Sequence, residues 1–232
     1  MKTIGLLGGM SWESTAFYYR ILNEEVARRL GGHHSARLVL VSVDFEEIKQ
    51  LQHAGRWDEA AAILGAAGRA LKAAGADFIV LCTNTMHRVA PAIEQASGLP
   101  LLHIADPTGK AIRARGLSRI GLLGTAFTME QDFYRARLRE GHDIEVVVPD
   151  AEDRALVHRV IYEELCKGIV RAESRAAYLA AIDRLNAAGA QGIILGCTEI
   201  CMLVGQDDVA LPVFDTTRLH AERAAALALG ED

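Results

Sequence analysis

Short apolar runs alternate along the chain with longer stretches of helical period. The runs are Thr3–Leu7, Arg37–Val43, Phe78–Leu81, Leu101–Ile104, Arg119–Leu123, Ile144–Val148, Gly192–Leu195 and Val213–Phe214. Most lack a period of two, which is the pattern of strands buried on both faces. Trp57–Ala74, Asp153–Leu165 and Ser174–Ala188 read instead as helices. Ala73-Ala74-Gly75 and Ala187-Ala188-Gly189 each place a glycine just past a helix end. Strand–helix alternation of this kind predicts an α/β fold with mainly parallel sheets.

The pattern also repeats. IGLLGGMSWESTAFYYRIL at 4–22 resembles IGLLGTAFTMEQDFYRARL at 120–138, and LKAAGADFIVLCT at 71–83 resembles LNAAGAQGIILGC at 185–197. Leu99-Pro100 and Leu211-Pro212 then open a strand in each half. Three blocks in one order at nearly one offset predict two pseudo-symmetric α/β lobes, 1–115 and 116–232, with the C-terminal helix free to cross over. Ligands of open α/β sheets sit beyond the carboxyl ends of the strands. The expected site is therefore a cleft flanked by the matched strand ends of both lobes.

Composition narrows the partners. Of 232 residues half are hydrophobic, which excludes a disordered chain. With 25 Lys+Arg against 30 Asp+Glu the net charge is −5 and no basic run occurs, so no nucleic-acid partner is expected. No apolar stretch approaches the roughly 20 residues that span a bilayer. The opening MKTIGLLGG carries too short an apolar run for a signal peptide and reads as a first strand, which gives a cytoplasmic expectation. Four cysteines (Cys82, Cys166, Cys197 and Cys201) form no disulfide framework.

The strand ends carry the candidate chemistry. Gly8-Gly9-Met10-Ser11 and Gly124-Thr125 close the first strand of each half. They fit either a tight turn or backbone N–H groups approaching an anion. The Gly-Gly pair is not a GxGxxG fingerprint, so NAD is not expected. Cys82-Thr83-Asn84-Thr85-Met86-His87 and Gly196-Cys197-Thr198-Glu199-Ile200 close the later strand, with Thr83 and Cys197 as register partners. By strand alternation Cys82 points away from Thr83, and reads as core; Cys166 and Cys201 read as packing. Cys197 stands where helix N-terminal N–H groups would lower a thiol pKa.

Cys82, His87, Cys197 and Cys201 are spaced C-x4-H and C-x3-C, unlike common zinc modules, so no metal is expected. No lysine has the context of a Schiff-base residue, so no pyridoxal phosphate is expected either. Two small acid/base groups facing one ligand from opposite sides suit inversion of a carbon stereocentre, one taking a proton and the other returning one. Thr125, Thr128, Asn84, Thr85 and Thr198 would stabilise the anion formed.

These motifs, with VDFEEI at 43–48, resemble the aspartate/glutamate racemase family along essentially the whole chain. That family's first motif is Cys-Asn-Thr; here it reads Thr83-Asn84-Thr85, with Cys82 displaced by one residue. The departure is similar to the branch preferring L-aspartate and L-glutamate. The resemblance implies a cofactor-free racemase in which Cys197 takes the α-proton of the L-amino acid. Thr83, or a water beside it, serves the other face. It implies Met10, Gln52, Asn84, Thr85, Thr198 and Glu199 as substrate-lining residues, to which Thr125 is added by its place after the repeated strand. It also implies a homodimer. The alternatives are a single-cysteine decarboxylase of the arylmalonate decarboxylase type and a non-catalytic small-molecule-binding domain.

Overall fold

The computed structural model describes residues 1–231, which form two compact units. The first is Met1–His103 together with the chain from His220 onward; the second is Ile104–Leu219. No helix among the described residues is long and apolar enough to cross a membrane.

In the first unit β1 (Ile4–Gly8), α1 (Trp12–Leu30), β2 (Leu38–Ser42), α2 (Phe45–His53), α3 (Trp57–Ala73), β3 (Phe78–Leu81), a 3-10 turn (Thr85–Val89), α4 (Ala90–Ser97) and β4 (Leu101–Leu102) follow in turn. The parallel sheet has the order β2-β1-β3-β4. β1 and β3 are buried along their whole length, as their unbroken apolar runs require. Side-chain alternation divides the core. Ile79 and Leu81 pack with Ile48, Leu64, Leu71 and Ile93 from α2, α3 and α4. Phe78, Val80 and Cys82 pack on the other face with Tyr18 and Leu22 of α1 and with Ala221, Ala224 and Ala225. Those alanines belong to α10 (Thr216–Leu229), whose residues from His220 count with this unit.

The second unit contains α5 (Ala105–Ala114), β5 (Arg119–Gly124), α6 (Ala126–Glu130), α7 (Asp132–His142), β6 (Glu145–Val147), α8 (Ala151–Glu163), α9 (Ala172–Ala187), β7 (Ile193–Gly196) and β8 (Val213–Asp215). Its parallel sheet has the order β6-β5-β7-β8, strand for strand that of the first unit. Its core gathers Leu122, Leu123, Tyr134, Val157, Tyr178, Ile182 and Ile194. The helix ends match as well. Gly75 and Gly189 take φ of 90° and 88°, and behind them Ala76 and Ala190 donate to the carbonyls of Leu71 and Leu185. In both sheets the strand order reverses at the central pair, β1/β3 and β5/β7. Ligands of such sheets bind at the carboxyl ends of that pair.

Candidate active site

The register of the two sheets fixes which residues are equivalent. Leu7 pairs with Leu81 and Leu123 pairs with Leu195. Since Leu7 and Leu123 match in the repeat, Cys82 is equivalent to Gly196 and Thr83 to Cys197. Both pairs of residues stand at the carboxyl end of the central strand that follows the reversal.

In the first unit the loop after β1 folds on itself. Gly9 has φ of 94°, and a Cβ there would lie 2.2 Å from the Val43 carbonyl oxygen, so only glycine fits. Its N–H donates to Thr15 Oγ1 at 2.9 Å, and that hydroxyl donates to the Ser11 carbonyl. The Gly9 amide serves a tight turn, the plainer of the two expectations for this glycine pair. Met10, Met86 and Leu51 share one buried cluster, and Gln52 Nε2 donates to Met86 Sδ at 2.9 Å. Asn84 and Thr85, both buried, open the 3-10 turn beside them. Cys82 is fully buried on the α1/α10 side, its thiol turned to the Val80 carbonyl and its pKa pushed up by burial.

In the second unit the thiol and the carboxylate meet. Cys197 Sγ donates to Glu199 Oε2 at 2.9 Å, and Thr198 Oγ1 donates to the same oxygen at 2.7 Å. Burial first, and the Glu199 charge next, push the Cys197 thiol well above its ordinary pKa. This corrects the expectation of a lowered value. Only a three-residue turn, Ile200–Met202, follows, and a short turn offers little dipole against a carboxylate and a buried site. Cys201 donates to the Thr198 carbonyl at 3.2 Å and is pushed up to about 12, chiefly by burial. Thr125 follows Gly124, whose partner across the ladder is Gly196. Its hydroxyl caps α6, accepting from the Thr128 N–H at 3.2 Å, with Thr128 Oγ1 also 3.2 Å away.

Two groups of residues join these strand ends, and of them the sequence singles out only His87, as a residue at the start of a helix or a donor behind the site. On α8, His158 Nδ1 accepts from the Ala126 N–H at 3.1 Å, and its ring packs against Tyr162 one turn on. Their i,i+4 spacing was a visible signal. In the first unit His87, His103 and His220 bring their rings together beside Thr83. No group of three or more His, Cys, Asp or Glu among the described residues is arranged to hold a metal ion.

Comparison with known proteins agrees with this architecture. Residues 7–224 match the model of the Asp/Glu/Hydantoin racemase family. A crystal structure of a candidate Asp/Glu racemase from Yersinia pestis is 59% identical, with a TM-score of 0.92 over 99% of this chain and 100% of that one. An aspartate racemase homologue from Pyrococcus horikoshii is 34% identical, with a TM-score of 0.84 and the same coverage. An aspartate racemase of Picrophilus torridus, 19% identical over 100% of this chain and 96% of its own, shares the fold at a TM-score of 0.76. The chain belongs to the Asp/Glu/Hydantoin racemase family and has its two-sheet α/β fold.

Proposed function

We propose that this member of the racemase family interconverts the L and D forms of aspartate or glutamate by two-base α-proton transfer, without pyridoxal phosphate or metal. Cys197 serves the L-face, and Thr83, directly or through a water, serves the other. The observation that carries the reading is the shared register of Thr83 and Cys197 at the reversal points of two sheets of one topology. The acidic substrate is supported by the names of the relatives at 59% and 34% identity. The same reading makes Met10, Gln52, Asn84, Thr85, Thr125, Thr198 and Glu199 the substrate-lining residues, and has the enzyme act in the cytoplasm as a homodimer.

The thiol–carboxylate pair supplies the base. At rest the proton sits on Cys197, because burial and Glu199 both disfavour the thiolate. Passing that proton to Glu199 Oε2 leaves a thiolate and a neutral acid. The ammonium of an incoming amino acid favours this by placing its positive charge nearer the sulfur than the carboxylate. A desolvated thiolate of raised pKa is a strong base, which a weakly acidic Cα–H requires. The thiolate takes the α-proton, the electron pair stays on the substrate as a carbanion, and the Thr83 side returns a proton to the opposite face. The proton lost there is regained from solvent, and Glu199 releases the proton it took from the thiol to solvent, which restores the starting state.

Incubation with a panel of L-amino acids in D2O, read by chiral chromatography and mass, tests the proposal. Deuterium and the D-enantiomer should appear with L-aspartate or L-glutamate. Release of CO2 from aryl or alkyl malonates, with no amino-acid exchange, replaces the racemase by a decarboxylase. Binding of an amino acid with neither reaction leaves only a binding domain.

A further inference from the structure

We propose that His87 is the positioning residue of Thr83, holding that strand end through an imidazole-to-carbonyl hydrogen bond, with His220 and Tyr18 locking the ring behind it. The assignment rests on the two-base reading of Thr83.

The β3 ladder runs out before Thr83 is reached. Its last bond to β1 is Cys82 N–H to the Leu7 carbonyl, and β4 pairs only with Ile79 and Val80. The Thr83 N–H turns back to the Leu81 carbonyl at 2.9 Å. Its own carbonyl, now outside the sheet, lies 2.8 Å from His87 Nδ1. A carbonyl oxygen only accepts, so Nδ1 carries the proton and the tautomer is fixed. The peptide units on both sides of the Thr83 Cα are therefore held, one by the backbone and one by the ring.

The ring itself is built in. His87 is 2% exposed, with the His103 ring 4.5 Å away and the His220 ring 5.8 Å away, both edge-on. His220 Nε2 lies 2.8 Å from the Leu102 carbonyl oxygen, so it too is a donor. Its Nδ1 is then the acceptor of the Tyr18 O–H, at 2.8 Å. Both nitrogens of a fully buried His220 are thus engaged, by β4 on one side and α1 on the other. His87 cannot tilt without disturbing a helix, a strand end and a second imidazole.

The second unit shows what a plain turn does at this place. The Cys197 carbonyl accepts from the Ile200 N–H at 3.2 Å, and the position equivalent to His87 is Cys201, whose thiol reaches the Thr198 carbonyl. The fold therefore closes this turn without an imidazole. Burying three of them beside Thr83 costs desolvation that an apolar side chain avoids. Fixing a poor acid/base hydroxyl is a use that justifies it, since a misplacement of about 1 Å costs on the order of a hundredfold in rate.

His87→Asn keeps an N–H donor near the Nδ1 position, and His87→Leu keeps bulk without a donor. Two quantities are read in D2O: deuterium entry into the L-substrate, which reports Cys197, and the yield of D-enantiomer per deuterium entered, which reports Thr83. The Leu variant should lower the yield ratio by about tenfold or more while deuterium entry stays within about threefold; the Asn variant should keep both within about threefold. A parallel fall of both quantities in the Leu variant, an unchanged ratio, or an Asn variant as poor as Leu overturns the proposal. If His87→Leu does not fold, His87→Gln, whose donor reaches the Nε2 position, takes its place. The Thr83 methyl resonance in methyl-labelled protein gives a second reading that needs no activity. It should stay in place in the Asn variant and move in the Leu variant, and a resonance unmoved by Leu overturns the proposal. A wild-type protein that exchanges no amino acid ends the two-base reading alone, and the methyl resonance then decides the positioning.

Discussion

The two strand ends of this chain share a topology and a register but not a chemistry. At the end of β7 a thiol donates to a carboxylate 2.9 Å away. At the end of β3 a hydroxyl takes the thiol's place, and beside it stands His87, whose pKa is held well below the ordinary value by burial and by the neighbouring His103 and His220 imidazoles. The two sheets thus keep one backbone position while the groups around it differ. On the proposed two-base reading one side generates a base and the other holds a weak acid in place. An enzyme built this way cannot shift the equilibrium between enantiomers, but its two directions use unlike groups.

The sharpest way to break the comparison is to remove the thiol. Cys197→Ser should lower α-proton exchange of L-aspartate or L-glutamate by about a hundred- to ten-thousand-fold, the span of general acid–base catalysis. Deuterium entry measured by mass spectrometry checks it. Cys82→Ser should leave exchange within about threefold, because that thiol lies on the opposite face of β3 among core residues and turns to the Val80 carbonyl. Reversed outcomes would move the first-unit register by one residue.

A second change makes the two ends alike. Thr83→Cys places a thiol at the register partner of Cys197 and should raise exchange of D-aspartate or D-glutamate by about tenfold or more. Comparing D-substrate exchange in the two proteins at equal concentration decides it. A folded variant with unchanged D-exchange would remove Thr83 from the second acid/base position and direct attention to malonate substrates.

Much of the fold was readable because it is written locally. Apolar runs located all eight strands found among the described residues, and the three-block repeat foretold two sheets of one topology. β4 is shorter than its run, Leu101–Leu102 against Leu101–Ile104, because α5 begins at Ala105 and Thr108 Oγ1 bonds the Ile104 carbonyl. The positions of Thr83 and Cys197 were equally legible, since a repeat carries register. What surrounds them was not. The pKa of Cys197 is set by its burial and by the rotamer that turns Glu199 back on it, and neither is written in Cys-Thr-Glu. The imidazole cluster joins Tyr18, His87, His103 and His220 from four separate stretches, with no spacing to announce it.

The smallest effect expected is on stability, and it belongs to the first unit. Burial, with His103 and His220 beside it, holds His87 well below the ordinary histidine pKa in the folded protein. An unfolded histidine titrates near 6.5, so below that pH the unfolded chain binds a proton that the folded chain refuses. The contribution of this neutral ring is therefore complete above about pH 6.5 and is lost as the pH falls towards the depressed folded value. By linkage one such group costs on the order of 1 kcal/mol at pH 5.5. His87→Asn removes the group that must stay neutral, so the gap in stability between variant and wild type should shift in the variant's favour by about that amount from pH 7.5 to pH 5.5. Urea unfolding at the two pH values measures it, and the carboxylates common to both proteins cancel in the difference. A gap independent of pH would mean that His87 is protonated within the fold. The imidazole cluster would then carry a charge, and the contrast drawn with the thiol–carboxylate pair of the second unit would fail.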